Sequence, residues 1–394
     1  MYITRKVETE LSKLLEDDKI VILLGARQVG KTTLTEPFVR ERGGVSLNCD
    51  IEIDRARILA AGSLSPADAM ASLGNPSLIV IDEAQNLPEV GRIVKGWYDA
   101  KVRAKIVLLG SSSLDLLDQT AEPLTGRNEK LHLTPLLFSE VIRNQSWYSP
   151  QFTAKHLQEH FSSQIMALML QQMTFGSYPE AIKSLDKERY LLNLTSDYLL
   201  RDVLQSGLIK SPDPIRRLLL LLAQRIGSEV SINTLASDLN IARPTVENYI
   251  ELLERSYVIF RVNPYSTNRA KEITKSSKIY FWDMGIRNAL LKDFAVTPTR
   301  QDIGDLFENW VVIEIAKHNL MLNNGRLDVL FWRNTDKREV DIILRGTNTL
   351  KAYETKWNKA NATPSTKAFT SAYGVPVEVV TKDTILPLLW EDEK

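Results

Sequence analysis

The chain has 394 residues, enough for two or three domains each with its own core. Its 49 Lys plus Arg balance 49 Asp plus Glu, so no global field draws it to nucleic acid or to a membrane, and any such contact must come from a local patch. One cysteine, Cys49, excludes an internal disulfide framework, the charged start Met1 to Lys6 is unlike a signal peptide, and no apolar run reaches membrane-spanning length; the expectation is a cytoplasmic chain with no membrane contact.

The apolar run Ile20 to Leu24 predicts a buried strand, and Thr33 to Arg40 predicts the opening of a helix. Between them Gly25, Ala26, Arg27, Gln28, Val29, Gly30, Lys31 and Thr32, followed by Thr33, fit G-x-x-x-x-G-K-[ST]. Glycines let such a loop turn tightly, so that its backbone N–H groups point at phosphates. Lys31 then reaches the terminal phosphates, and the Thr32 hydroxyl ligates Mg²⁺. Gly44 to Asn48 predicts another strand. A further strand, Leu78 to Ile81, ends in Asp82 and Glu83. At the carboxyl end of a parallel strand, Asp82 would hold Mg²⁺ through water and Glu83 would polarise the attacking water. The run Ala104 to Leu109 predicts a strand ending in three serines. Ser111 or Ser112 is a candidate to touch the γ-phosphate, and Ser113 suits the N-cap of a following helix.

Two later stretches extend the pattern: Pro123 to Arg127 followed by Leu133 to Glu140, and Phe175-Gly176-Ser177-Tyr178-Pro179-Glu180. With the loop, Leu78 to Gln85 and the serine-ended strand, the chain resembles over essentially its whole length the AAA+-like P-loop ATPases of archaea and bacteria that carry a C-terminal domain of unknown function (DUF4143). The resemblance implies ATP and Mg²⁺ as cofactors and places Tyr178 and Pro179 near the nucleotide base. A turn with a helix-opening proline is an equal reading of that segment. In oligomeric relatives an arginine after the sensor strand reaches a neighbour's γ-phosphate. Arg127 suits that role in a homo-oligomer, and a surface salt bridge is its alternative.

Residues 1–149 are read as the ATPase core and 150–225 as a helical lid. Residues 226–264 are read as a winged helix, with helices from Thr234 and Pro244 and a β wing from Tyr257 to Val262. The outward face of the second helix carries Glu247, Glu251 and Glu254, which repel phosphate, so a lid or interaction module fits it better than a DNA reader.

Residues 265–394 hold a second constellation. A helix from Asp305 to Leu320 carries Glu308, with Phe307, Val311 and Ile315 as an apolar stripe. Arg338 to Leu344 predicts a strand, Gly346 and Asn348 a turn, and Lys351 to Trp357 the partner strand. Period-two alternation puts Glu354 and Lys356 on one face. This order resembles the PD-(D/E)xK nuclease superfamily, with Val340 where proline is common. The resemblance implies a second divalent metal held by Glu308, Asp341 and Glu354, with Lys356 stabilising charge during cleavage of DNA or RNA. Lys317, Arg326, Arg333, Lys337, Arg338, Arg345, Lys351 and Lys359 are read as a local phosphate-binding surface, and Trp332, Tyr353 and Trp357 as neighbours of it or as core.

The expected fold is thus α/β: a P-loop NTPase parallel sheet, a helical lid, a winged helix and a C-terminal α/β restriction-endonuclease-like domain. The expected function is ATP hydrolysis coupled to a nuclease-like domain acting on nucleic acid. The alternative is a nucleotide-dependent switch that binds a protein partner and carries an inert C-terminal scaffold.

Overall fold

Five short strands make the first sheet: β1 (Ile20–Leu24), β2 (Val45–Asn48), β3 (Leu78–Asp82), β4 (Lys105–Gly110) and β5 (Asn128–His132). Their order is β2-β3-β4-β1-β5 and every pairing is parallel. β1 and β3 are buried along their whole length, as central parallel strands between helical layers must be. Ile22, Leu24, Ile79 and Ile81 pack with Leu47, Val94 and Trp97 in this core. Because the strands run the same way, the segments after β1, β3 and β4 emerge at one edge of the sheet, which is where the candidate residues lie.

The computed structural model describes residues 2–111, 123–198, 212–267, 276–358 and 363–390. It divides into two compact units, Thr4–Thr134 with Arg255–Tyr257, and Met1–Ile3 with Pro135–Glu254 and Val258–Lys394.

The larger unit is built on a seven-stranded sheet: β6 (Glu229–Val230), β7 (Ile259–Pro264), β8 (Ser277–Phe281), β9 (Asp328–Arg333), β10 (Glu339–Arg345), β11 (Leu350–Lys356) and β12 (Val377–Thr381). Its order is β12-β11-β10-β9-β7-β8-β6. β9, β10 and β11 form an antiparallel meander, and β12 joins β11 in parallel after the helix Pro364–Tyr373. Before it come a helix Pro212–Gln224, β6, helices Ile232–Leu239 and Arg243–Arg255, then the antiparallel pair β7 and β8. β7 also pairs in parallel with β9, so the sheet runs on across the boundary expected at residue 264. The helix Ile303–Leu322 was expected to carry one apolar stripe. Instead Leu306, Phe307, Trp310, Val311, Val312 and Ile313 are all buried, and the helix crosses the core.

Candidate functional site

The loop after β1 turns through left-handed backbone at Gln28 (φ 61°) and Gly30 (φ 96°) before the helix Lys31–Glu41 begins. Only glycine adopts the second value without strain. Gly25 is required for a different reason: a Cβ there would lie 2.0 Å from the carbonyl oxygen of Leu133. Lys31 is buried, and its Nζ donates to the carbonyls of Gly25 (2.9 Å) and Ala26 (3.0 Å), which holds an ammonium at the amino end of an 11-residue helix. Cation, helix dipole and loop amides together suit a polyphosphate. Thr32 Oγ1 donates to Asp82 Oδ2 at 2.6 Å, so a hydroxyl and a carboxylate stand side by side. Burial pushes the Asp82 carboxyl up, while the Thr32 bond pulls it back down.

Glu83 follows in left-handed backbone (φ 48°), its N–H donating to Asp82 Oδ1 at 2.8 Å. Its Oε2 accepts from Gln85 Nε2 (2.5 Å) and from Ser111 Oγ (3.1 Å), and Gln85 Nε2 also reaches Ser111 Oγ at 3.1 Å. The closed triangle fixes the carboxylate beside the end of β4. Ser112 and the helix expected after Ser113 lie outside the described residues. Sequence reasoning passed over Gln85 and also Arg5. Buried Arg5 donates to Val29 O (3.0 Å) and Thr134 O (2.7 Å), which ties the loop to the segment after β5. Nothing in the spacing marks Arg5, because the carbonyls of Val29 and Thr134 carry no side-chain signature.

A second cluster lies in the larger unit. The antiparallel register Ile342–Tyr353 places Asp341 next to Glu354 one step along. Asp341 Oδ2 accepts from Thr355 N (2.7 Å) and Thr355 Oγ1 (2.8 Å). Lys356 Nζ lies 2.8 Å from Glu354 Oε1, while Glu354 Oε2 is buried without a hydrogen-bond partner among the described residues. Glu308 reaches the cluster from the core helix, and its Oε1 accepts from Lys278 Nζ (3.1 Å) and Tyr280 Oη (3.0 Å). Lys278 Nζ also lies 2.5 Å from Glu339 Oε1. Burial and then the charge of Asp341 raise both Glu308 and Glu354 to about 7. Burial alone would lower Lys278, but Glu308, Glu339 and Asp341 outweigh it and hold the ammonium above its ordinary range.

The expected three-carboxylate metal centre does not form this way. Among the described residues no three His, Cys, Asp or Glu side chains gather as ligands of one ion. One oxygen of each carboxylate is instead engaged within the protein, Glu308 Oε1 by Lys278 and Tyr280, Asp341 Oδ2 by Thr355 and Glu354 Oε1 by Lys356. The donors are of the right hard-oxygen type, but as arranged they do not fit a divalent ion.

Other expected residues are placed as follows. Arg127 precedes β5, and its carbonyl accepts from Ile20 N at 2.9 Å. It therefore sits at the opposite end of β1 from the phosphate loop, about 16 Å away at ~3.3 Å per strand residue. Its guanidinium is held by Asp99, with Nε to Oδ1 at 2.7 Å. Tyr178 and Pro179 open the helix Pro179–Lys183 in the other compact unit from the loop. Lys317 does not belong to a phosphate-binding surface. It is 2% exposed and bonded to Glu314 (3.0 Å), Ser177 Oγ (2.6 Å) and Leu136 O (3.2 Å). Arg333 and Arg345 are paired with Glu229 and Asp328, and Trp332, Tyr353 and Trp357 are core. Lys359 lies outside the described residues.

Comparison with known proteins agrees with the first sheet. Residues 17–142 match the AAA domain family, 166–297 a domain of unknown function (DUF8612) and 303–388 a domain of unknown function (DUF4143). Among similar proteins, the uncharacterized protein Rv2008c of Mycobacterium tuberculosis (strain ATCC 25618 / H37Rv) is 26% identical over 372 residues, covering 92% of this chain and 75% of its own. The uncharacterized protein MJ1544 of Methanocaldococcus jannaschii is 26% identical over 357 residues, 88% of this chain and 76% of its own. The Walker-type ATPase PABY2304 of Pyrococcus abyssi superposes with a TM-score of 0.50 at 18% identity, over 74% of this chain and 96% of that one. The chain thus carries an AAA-like P-loop domain followed by DUF8612 and DUF4143 segments. Lys278 and Tyr280 fall in the DUF8612 segment, whereas Glu308, Asp341 and Glu354 fall in the DUF4143 segment. No helix among the described residues is long and apolar enough to cross a membrane.

Proposed function

We propose that this chain binds ATP with Mg²⁺ at the loop Gly25–Thr33 and hydrolyses it. The observation that carries the reading is the Thr32–Asp82 hydrogen bond at 2.6 Å, which sets a hydroxyl and a buried carboxylate together beside the Lys31 ammonium. Thr32 and Asp82 fit Mg²⁺, which takes few protein oxygens and keeps waters and phosphates, and the ion would neutralise charge on the transferred phosphoryl group. Lys31 and the loop amides bind the phosphates. Glu83 orients and deprotonates the attacking water, and Gln85 and Ser111 set the carboxylate's angle. Binding of a fluorescent ATP analogue and phosphate release test the reading together. Lys31→Ala should abolish binding. Glu83→Gln should bind as before and hydrolyse ~10²- to 10⁴-fold more slowly. Unchanged binding in Lys31→Ala would remove the premise.

For the rest of the chain, the order helix, β6, helix, helix, β7, β8 supports a winged helix, and the β10–β11 hairpin with Asp341, Glu354 and Lys356 supports a nuclease-like fold. ATP turnover would then change what this half engages, nucleic acid or a protein partner. One observation favours a switch with a non-cleaving C-terminal domain: Lys278 stands among the carboxylates. A divalent-metal cleavage assay on single- and double-stranded DNA and RNA separates the two. Cutting lost in both Asp341→Ala and Glu354→Ala supports a nuclease; no cutting supports the switch.

A further inference from the structure

We infer that Lys278 is the resident cation of the C-terminal carboxylate cluster: its ammonium holds the Glu308 oxygen that a divalent metal would need, and the cluster takes no metal while that ammonium is there. The inference builds on the nuclease-like reading of the C-terminal fold and is independent of ATP hydrolysis.

Lys278 comes from β8, far in sequence from the motif that suggested a metal, and its side chain is only 1% exposed. An ammonium so buried must be paired. Glu308 Oε1 at 3.1 Å, Glu339 Oε1 at 2.5 Å and the Phe331 ring, 5.4 Å below Nζ, supply that environment. A divalent ion bound to Glu308 would need the same oxygen at ~2.0–2.6 Å and would lie within a few ångströms of the ammonium, with like charges opposed across a site that water does not screen. Tyr280 adds a second donor to that oxygen, so metal entry would break two hydrogen bonds at once. On the far side Asp341 Oδ2 is engaged by Thr355 and Glu354 Oε1 by Lys356. Glu354 Oε2 is buried and has no hydrogen-bond partner among the described residues, so a cation admitted among Glu308, Asp341 and Glu354 would gain it as a ligand.

The test is Mn²⁺ binding to the full chain, stripped with chelator and free of nucleotide, at pH 8, with free Mn²⁺ read by electron paramagnetic resonance. Any Mn²⁺ held at the phosphate loop is common to all variants and cancels. Wild type and Asp341→Asn should bind equally. Lys278→Met should gain one Mn²⁺ per chain with affinity raised about tenfold or more, and Lys278→Met/Asp341→Asn should lose it. A wild-type Mn²⁺ that disappears in Asp341→Asn overturns the inference, as does a folded Lys278→Met that gains none. If circular dichroism shows Lys278→Met unfolded, Lys278→Gln takes its place, and the wild-type comparison with Asp341→Asn decides on its own. A gained Mn²⁺ without cutting of DNA or RNA supports the inference and removes the nuclease reading alone.

Discussion

Lys317→Met probes how the larger unit is held together. Met is unbranched like lysine and only one atom shorter, so the perturbation is chiefly electrostatic. It removes an ammonium that bonds Ser177 Oγ at 2.6 Å, Glu314 Oε1 at 3.0 Å and Leu136 O at 3.2 Å, with both charged side chains 2% exposed. Glu314 then keeps one donor, Phe138 N at 2.7 Å, and no counter-charge. Breaking a buried pair from one side costs about 3–5 kcal/mol, because the remaining ion stays desolvated. Asp283 suffers as well: burial raises its carboxyl, and the Lys317 charge is one of the influences holding it down. At roughly 2–4 °C per kcal/mol for a unit of this size, the melting temperature should fall by about 6–20 °C. Urea and thermal unfolding followed by circular dichroism measure it. In Lys317→Met/Glu314→Gln the amide still accepts from Phe138 N and carries no charge, so this double variant should be about 2 kcal/mol or more better than the single one. A single variant within about 1 kcal/mol of wild type, or a double variant no more stable than the single, would refute the argument.

Three further outcomes are expected. Burial, and then the nearby Lys130, push His132 down to about 4, with its Nδ1 3.2 Å from Tyr257 Oη. The unfolded chain therefore binds the extra proton between the ordinary histidine value and about pH 4, and stability of the smaller unit falls by up to about 1.4 kcal/mol per pH unit on acidification through that window. His132→Phe should flatten the pH dependence of urea unfolding; an unchanged slope would show that other groups set it. Gly25→Ala drives a Cβ to 2.0 Å from Leu133 O, which is backbone, so the loop must shift and ATP affinity should drop about tenfold or more in equilibrium titration. Ser111→Ala takes one donor from Glu83 and should lower kcat about tenfold while leaving KM within about twofold; a raised KM with kcat unchanged would instead assign the serine to ground-state binding.

Strand and helix types were largely legible, because they follow from local periodicity. Ile20 to Leu24, Leu78 to Ile81 and the hairpin around Gly346 appear where alternation and apolar runs predict them, with ends shifted by a residue or two. The phosphate loop is legible for the same reason: its glycines, lysine and threonine are consecutive. The order β2-β3-β4-β1-β5 is not, since crossovers decide it. The burial of Lys317 did leave a signal. Glu314 stands three residues before it, and the run Trp310, Val311, Val312 and Ile313 before the pair, with Ile315 and Ala316 inside it, is apolar around a full turn, which is the composition of a helix inside a core rather than on one. The lysine belongs to that core as half of an ion pair.

The C-terminal cluster shows where motif reading stops. A pattern such as D…ExK fixes which carboxylates share a face, because strand alternation and hairpin register are local. It says nothing about which cation neutralises them, because that charge can come from any strand that packs alongside. Here it comes from β8, which reaches the carboxylates only because β7 pairs on one side with β8 and on the other with β9, next to β10. Glu308 can be satisfied by a metal ion or by a lysine, so the acids alone cannot distinguish a hydrolytic centre from a structural one. The distinguishing residue is the buried lysine: at 1% exposure, with carboxylates at 2.5 and 3.1 Å, Lys278 cannot leave without stranding them, nor stay beside a divalent ion without repulsion.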